Sequence, residues 1–153
     1  MAEVADDKTR VLLVDDHPLV RQGLRTLLGA DPAIDVVGEA TDGNEAVRLA
    51  ADLAPHVVIM DLTLPDVQGS EATRRICHVA KDVKVIGLSA HSEQSYASQM
   101  LKAGATGYVV KDLAAEELIT AIRTVMSGKI YLSSRVAGAM LDVLRDGGNR
   151  AQS

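Results

Sequence analysis

Two apolar runs in this chain of 153 residues stop abruptly on aspartate: VLLVDD at residues 11 to 16 and VVIMD at residues 57 to 61. Burying a carboxylate is costly unless it is paired or bound to a cation, so Asp15, Asp16 and Asp61 call for a partner. Two more apolar runs end on groups that suit a phosphate, Ser89 closing VKVIGLS and Lys111 closing TGYVVK. Three carboxylates brought close together repel one another, and a hard divalent cation relieves that repulsion. Mg²⁺ takes oxygen ligands, keeps several waters and uses one or two carboxylates plus phosphate oxygens, so an Asp cluster without His or Cys suits it better than Zn²⁺. Asp61 stands alone at the end of its run, where a carboxylate can attack phosphorus and form an aspartyl phosphate. Mg²⁺ would offset the charge developing on the transferring group. Lys111 offers a point charge to a phosphate oxygen and Ser89 a hydroxyl hydrogen bond.

The elements that must position these groups follow from periodicity. Strands are expected at 10–15, 35–40, 57–61, 83–89 and 106–111, with helices between them at 18–29, 44–54, 69–80, 93–103 and 115–127. In the first helix, Leu19, Val20, Gly23, Leu24, Leu27 and Leu28 have the spacing of one buried face. Strands that are apolar almost throughout are covered on both faces, the mark of a parallel sheet between helices. Right-handed crossovers put every strand's C-terminal end on one edge. A doubly wound α/β sheet of five parallel strands in the order 2-1-3-4-5 has its ligand site outside the ends of strands 1 and 3, where Asp15, Asp16 and Asp61 lie. The stretch YLSSRVAGAMLDVLRD, 131 to 146, repeats Val136, Met140, Leu141 and Leu144 at helical spacing behind Ser133 or Ser134 as cap, so an extra C-terminal amphipathic helix is expected, followed by a flexible tail, GGNRAQS.

Each group also has a plainer use. An Asp between strand and helix is commonly an N-cap, and DDHPL, with Pro18 near the first turn, is a good capping sequence for Asp16. Ser89 alone reads as a loop or cap residue and Lys111 alone as a solvated charge. His17, His56, His78 and His91 show no metal-ligand spacing among themselves, so histidine ligation is not expected. Cys77, the single cysteine, permits no internal disulfide and reads as a buried spectator on a helix. What outweighs the separate plain readings is the joint placement of five polar groups at the ends of four strands.

Composition narrows the class. With no Trp, no Phe and three Tyr, the core must be aliphatic. A net charge of -5 and a pI near 5.3 argue against a surface made for polyanions, so direct nucleic-acid binding by this chain is not expected. No apolar run approaches the roughly 18 residues of a membrane span, and the N-terminus lacks a signal-peptide pattern, so no membrane partner and a cytoplasmic location are expected.

In VLLVDDHPLVRQGL, VVIMDLTLPDVQGSEATRRI, VIGLSAH and GATGYVVKD, in that order, the sequence resembles the receiver domain of bacterial two-component response regulators. DDHPLVR with GKIYLSSRVAGAML is further similar to the NarL/LuxR-type subfamily, whose members join the receiver through a linker helix to a helix-turn-helix DNA-binding domain. The resemblance implies a flavodoxin-like receiver over 9–128, a linker helix and tail over 129–153 and an output domain outside this sequence, the linker-like end favouring an excised receiver over a receiver-only regulator. It implies a signalling phosphoprotein rather than an enzyme, phosphorylated on Asp61 by a sensor histidine kinase and controlling transcription, with a homodimer as a further partner. Mg²⁺ would be held by Asp16 and Asp61, with Asp15 assisting through water and the Thr63 carbonyl contributing. Ser89 and Lys111 would hold the phosphoryl group, and Ser89 and Tyr108 would form the switch. Leu64 and Asp66 depart from the Met and Gly of many relatives, which implies a particular geometry for the loop after Asp61.

Two rival readings remain at this level. A haloacid dehalogenase-type phosphatase or phosphotransferase also uses an Asp nucleophile and Mg²⁺, but wants a second carboxylate two residues later, where this chain has Thr63. A flavodoxin-like nucleotide or flavin binder wants amide donors after strand 1, where this chain has carboxylates.

Overall fold

The computed structural model describes residues 8–90 and 94–138. Strands β1 (Thr9–Val14), β2 (Ile34–Ala40), β3 (Val57–Asp61), β4 (Lys84–Ser89) and β5 (Gly107–Val110) alternate with helices α1 (Pro18–Gly29), α2 (Gly43–Leu53), α3 (Gly69–Val79), α4 (Gln94–Ala103) and α5 (Ala114–Met126). Every boundary of these ten elements falls within one residue of the periodicity expectation; β5 stops at Val110 and leaves Lys111 to a short 3₁₀ turn, Lys111–Leu113.

The strand pairs are all parallel, in the order β2-β1-β3-β4-β5-β6. The expected five-stranded order is thus extended by a sixth strand, β6 (Tyr131–Leu132), which pairs Tyr131 with Gly107 and Leu132 with Tyr108. These two residues lie in the stretch assigned to a helix from 131. Helical residues begin only at 134, and the rest of that stretch, including Met140, Leu141, Leu144 and the tail, lies outside the described residues.

The period of two along each strand builds two cores. Val11, Leu13, Val57, Ile59, Ile86, Leu88 and Val109 face α1 and α5, where Leu24, Leu28, Leu118 and Ile122 meet them. Leu12, Val14, Val58, Met60, Val85, Tyr108 and Val110 face the other way, onto Ala46, Ala50, Ala72, Ile76, Ala97 and Met100 of α2, α3 and α4. Each fully buried large apolar side chain contributes about 1.5–3 kcal/mol, and both layers clamp the central strands β1 and β3 so that their ends are held rigidly. Leu19 is an exception to the expected α1 face: it is 82% exposed, because the buried stripe runs through Leu24 and Leu28, with Val20 and Leu27 at its margin.

The C-terminal segment is pinned to α5 by one carboxylate. Glu117 accepts hydrogen bonds from Ser133 Oγ at 2.6 Å and Ser134 Oγ at 3.3 Å. Burial and the Glu117 charge and hydrogen bond push the Tyr131 phenol up to about 12. Ser133 is therefore not the side-chain cap expected for the following helix. Its hydroxyl goes to Glu117, its amide donates to the Tyr108 carbonyl at 2.8 Å, and its own carbonyl accepts from Val136 and Ala137.

Candidate acidic phosphoacceptor site

At the C-terminal edge of the sheet, β1 and β3 run side by side with Val14 opposite Met60, so the residues that follow, Asp15 and Asp61, emerge together. Each is only 1% exposed. A ligand atom from each of Asp15, Asp16, His17 and Asp61 lies within 4.8 Å of the others.

The main chain around β1 sets this up. Asp15 N donates to the Ala40 carbonyl at 3.0 Å, which carries the strand pairing one residue further. Arg21 Nη1 donates to the Asp15 carbonyl at 2.6 Å, and Arg21 Nε and Arg25 Nε both donate to Glu39. Burial alone would raise the Glu39 carboxyl, but the hydrogen bonds and charges of Arg25 and Arg21 outweigh it and hold Glu39 below its ordinary value. The position before α1 is His17 (φ -100, ψ 109), with Pro18 at the first turn and no side-chain cap. Asp16 therefore does not take the capping role its sequence context allows.

Asp61 has an asymmetric environment. Its Oδ1 accepts from Thr63 N and Thr63 Oγ1, each at 3.1 Å, and lies 3.3 Å from Lys111 Nζ. Its Oδ2 is buried with no hydrogen-bond partner, as is Asp15 Oδ2, which faces Lys111 Nζ at 3.8 Å. Burial pushes the Asp61 carboxyl up; the Thr63 amide and Lys111 pull against it and the Asp15 charge adds to it, leaving a net rise. Orphaned acceptors on buried carboxylates are costly, and a hard divalent cation satisfies them by its oxygen preference. The donor set of Asp15, Asp16 and Asp61 thus fits Mg²⁺. Asp16 Oδ1 is likewise buried without a hydrogen bond: His17 Nδ1 lies 3.0 Å from it, but the geometry of a hydrogen bond is met only toward Asp15 Oδ1, also at 3.0 Å.

The remaining expected residues surround this point. Ser89 ends β4, is 2% exposed, and follows Leu88, the register partner of Asp61. Lys111 follows β5 with its side chain 25% exposed. Gly69 opens α3 against the site's backbone; a Cβ there would sit 2.8 Å from Leu62 Cα and 3.1 Å from the Asp61 carbonyl, so only glycine lets α3 approach this closely. Tyr108 is fully buried. Its register partner on β4 is Gly87, where a Cβ would press on Met100 Cε at 2.9 Å and come into ordinary contact with Tyr108 Cδ2 at 3.5 Å, so the glycine makes room for Met100 beside the ring.

Four residues contribute in ways that no local sequence pattern signals. His17 has no metal-ligand spacing to another histidine, yet it directly follows Asp16. Arg21 and Glu39 brace the Asp15 carbonyl through a contact 18 residues apart that no local pattern signals. Asp66, noted as unusual for its position, accepts from the amides of Gly43 at 2.8 Å and Asn44 at 2.9 Å, so the loop after Asp61 is tied to the start of α2. Cys77 is half-buried, its thiol 3.8 Å from the Gly104 carbonyl and pushed up by burial.

Among the described residues no helix is long and apolar enough to cross a membrane. Residues 11–123 match the family described as response regulator receiver domain. The transcriptional regulatory protein LiaR of Bacillus subtilis is 44% identical over 142 residues, 93% of this chain and 67% of that protein. The response regulator UvrY of Escherichia coli is 45% identical over 130 residues, 85% of this chain and 60% of that protein. This chain therefore spans about two thirds or less of these relatives' length. A crystal structure of a LuxR-family two-component response regulator from Aurantimonas superposes with a TM-score of 0.85 at 38% identity, covering 88% of this chain and 96% of that one. The acidic edge, the parallel sheet and these likenesses converge: the chain belongs to the response regulator receiver domain family of two-component signalling.

Proposed function

We propose that this chain is a cytoplasmic phosphorylation switch in which Asp61 accepts a phosphoryl group from a sensor histidine kinase and the change is passed to a DNA-binding output domain that controls transcription. In this reading residues 9–128 act as the receiver and 129–153 as the linker toward that output. The observation that carries it is the split environment of Asp61: Oδ1 is held by Thr63 and faces Lys111, while Oδ2 is buried and has no hydrogen-bond partner. A carboxylate so oriented presents one oxygen as nucleophile. One oxygen of the Asp61 carboxylate forms the bond to phosphorus while the bond from phosphorus to the kinase's histidine nitrogen breaks, that nitrogen leaving with the electron pair.

Asp15, Asp16, Asp61 and the Thr63 carbonyl would hold Mg²⁺. When bound, the ion supplies positive charge against the transferring phosphoryl oxygens. Lys111, 3.3 Å from Asp61 Oδ1, gives a second positive charge, and the Ser89 hydroxyl a hydrogen bond to a phosphoryl oxygen. The new group brings a charge of about -1.5 to -2, which draws Ser89 toward it and perturbs the packing that seats Tyr108 over Gly87. Because Leu132 pairs with Tyr108, a shift there reaches β6 and the segment after it. A homodimer formed through an altered surface is part of the same proposal.

The phosphatase reading has no comparable support, since the residue two positions after Asp61 is Thr63, whose hydroxyl is committed to Asp61 Oδ1. Intact mass after incubation with Mg²⁺ and a small phosphodonor tests the proposal. The chain should gain the mass of one phosphoryl group and Asp61→Asn none; an equal gain in both would move the acceptor elsewhere.

A further inference from the structure

The side chain of His17 points into the acidic cluster, and nothing in the phosphoacceptor chemistry needs it there. Its position is imposed by the backbone: the residue is the last before α1, its N–H donates to Asp15 Oδ1 at 2.8 Å, and Pro18 fixes the turn that follows. One ring nitrogen, Nδ1, lies 3.0 Å from Asp15 Oδ1 and 3.0 Å from Asp16 Oδ1. A nitrogen between two carboxylate oxygens is favourable only with positive charge or a proton between them, and a cation can take that place. The two most buried members of the cluster supply an independent sign of a missing ligand. Asp15 and Asp61 are each 1% exposed, and Oδ2 of each has no hydrogen-bond partner.

We propose that His17 makes this cluster a mixed nitrogen and oxygen site that takes a borderline transition-metal dication of the Zn²⁺ type, through His17 Nδ1 and one oxygen each of Asp15, Asp16 and Asp61. The inference rests on the reading above only in sharing its carboxylates. Oxygen donors alone suit Mg²⁺ and Mn²⁺, whereas an imidazole nitrogen shifts preference toward Zn²⁺, Ni²⁺ and Cu²⁺, whose affinities for such sites exceed those of the earlier ions. The dimensions agree. Tetrahedral donors at about 2.1 Å from a Zn²⁺ ion lie about 3.4 Å apart. The four candidate atoms already lie within 4.8 Å of one another, so closure asks for movements of at most about 0.7 Å per residue. His17 can make most of that movement, because its side chain is 58% exposed and the two deep carboxylates are not. A transition ion held in this way competes with Mg²⁺ for the same oxygens.

Calorimetric titration of the 153-residue chain with ZnCl₂, and separately with MgCl₂, decides the matter when wild type, His17→Gln and Asp61→Asn are compared. Gln keeps the length and a hydrogen-bond donor but removes the imidazole nitrogen. Losing a residue that merely orients a ligand costs about 10- to 100-fold in metal affinity, so losing the ligand itself should weaken Zn²⁺ binding at least about tenfold more than Mg²⁺ binding. Asp61→Asn should remove the same Zn²⁺ event, which separates it from binding at His56, His78 or His91. Equal losses of the two ions in His17→Gln, no loss of Zn²⁺, or a Zn²⁺ event untouched by Asp61→Asn would each overturn the proposal. Failure of wild type to bind Mg²⁺ would instead strike the Mg²⁺ part of the phosphoacceptor reading and leave a His17-dependent Zn²⁺ event standing.

Discussion

Replacing Asp61 by Asn should make the protein more stable at neutral pH in the absence of divalent cations, although it removes an ion pair. Asp61 Oδ1 is 3.3 Å from Lys111 Nζ, and the Asp61 carboxylate lies within 4.8 Å of an oxygen of both Asp15 and Asp16. At an effective dielectric constant of about 20 these distances give roughly 5 kcal/mol of attraction to Lys111 and at least roughly 3.5 kcal/mol of repulsion from each aspartate. The two repulsions together exceed the attraction by about 2 kcal/mol, and the burial of the carboxylate falls on the same side. Lys111 and Asp16 keep 25% and 32% of their side chains exposed, so solvent screening reduces the balance. The expected gain is about 1–2 kcal/mol, or a rise in Tm of roughly 2–8 °C for a chain of this size. The pH dependence has a definite sign. Burial holds the folded Asp61 above its ordinary 3.8, so the carboxyl stabilises the fold while protonated; that contribution is present below 3.8 and is lost as pH rises through the raised value. The advantage of Asn should therefore disappear in acid. Mg²⁺ acts oppositely: at ten times its dissociation constant it stabilises the wild type by RT ln 11, about 1.4 kcal/mol, and the variant less. Urea unfolding at neutral pH, in chelator and in Mg²⁺, measures both effects. An Asp61→Asn protein less stable than wild type in chelator, or one that gains as much from Mg²⁺, would refute the electrostatic account.

Gly69→Ala places a Cβ 2.8 Å from Leu62 Cα, so either α3 or the Asp61 loop must shift; a loss of about 1–3 kcal/mol in urea unfolding is expected, together with weaker phosphoryl uptake by mass. Glu117→Ala leaves the Ser133 and Ser134 hydroxyls without their acceptor. At about 1.5–3 kcal/mol per hydrogen bond to a charged group, amide exchange at Tyr131 and Ser133 should accelerate by about tenfold or more while exchange in β1 and β3 is unchanged. Cys77, raised above 9.0 by burial, should alkylate at pH 8 more slowly than a free thiol in unfolded chain, and equal rates in folded and urea-unfolded protein would contradict its half-buried setting.

The parts of the fold that the sequence makes legible are those where one residue's neighbours are its own chain neighbours. Val11, Leu13 and Leu12, Val14 alternate faces because a strand has a period of two, and the helices between are long enough to repeat their pattern three times. β6 has only Tyr131 and Leu132, too few for a period, and it forms because Glu117 and the edge of β5 receive it. Leu19 fails for a related reason. In the first turn of a helix the apolar stripe is not yet defined by repetition, and exposure there is decided by the angle at which His17 and Pro18 launch α1.

The site divides along the same line. Asp15, Asp61, Ser89 and Lys111 were legible because a polar residue ending an apolar run is placed by topology, and parallel strands bring all such ends to one edge. What topology cannot supply is direction within that edge. Whether Asp16 caps α1 or turns inward depends on which residue takes the extended conformation before Pro18, and the structure gives that place to His17. One consequence moves Asp16 out of its capping role, and another sends the His17 ring among the carboxylates. Tyr108 makes the same point, since its ring packs beside Gly87 and Met100, and Gly87, 21 positions earlier, is its neighbour only once β4 and β5 have paired. Residue types at strand ends name the chemistry available; the pairing of strands and the residues that launch each helix decide which of those groups meet.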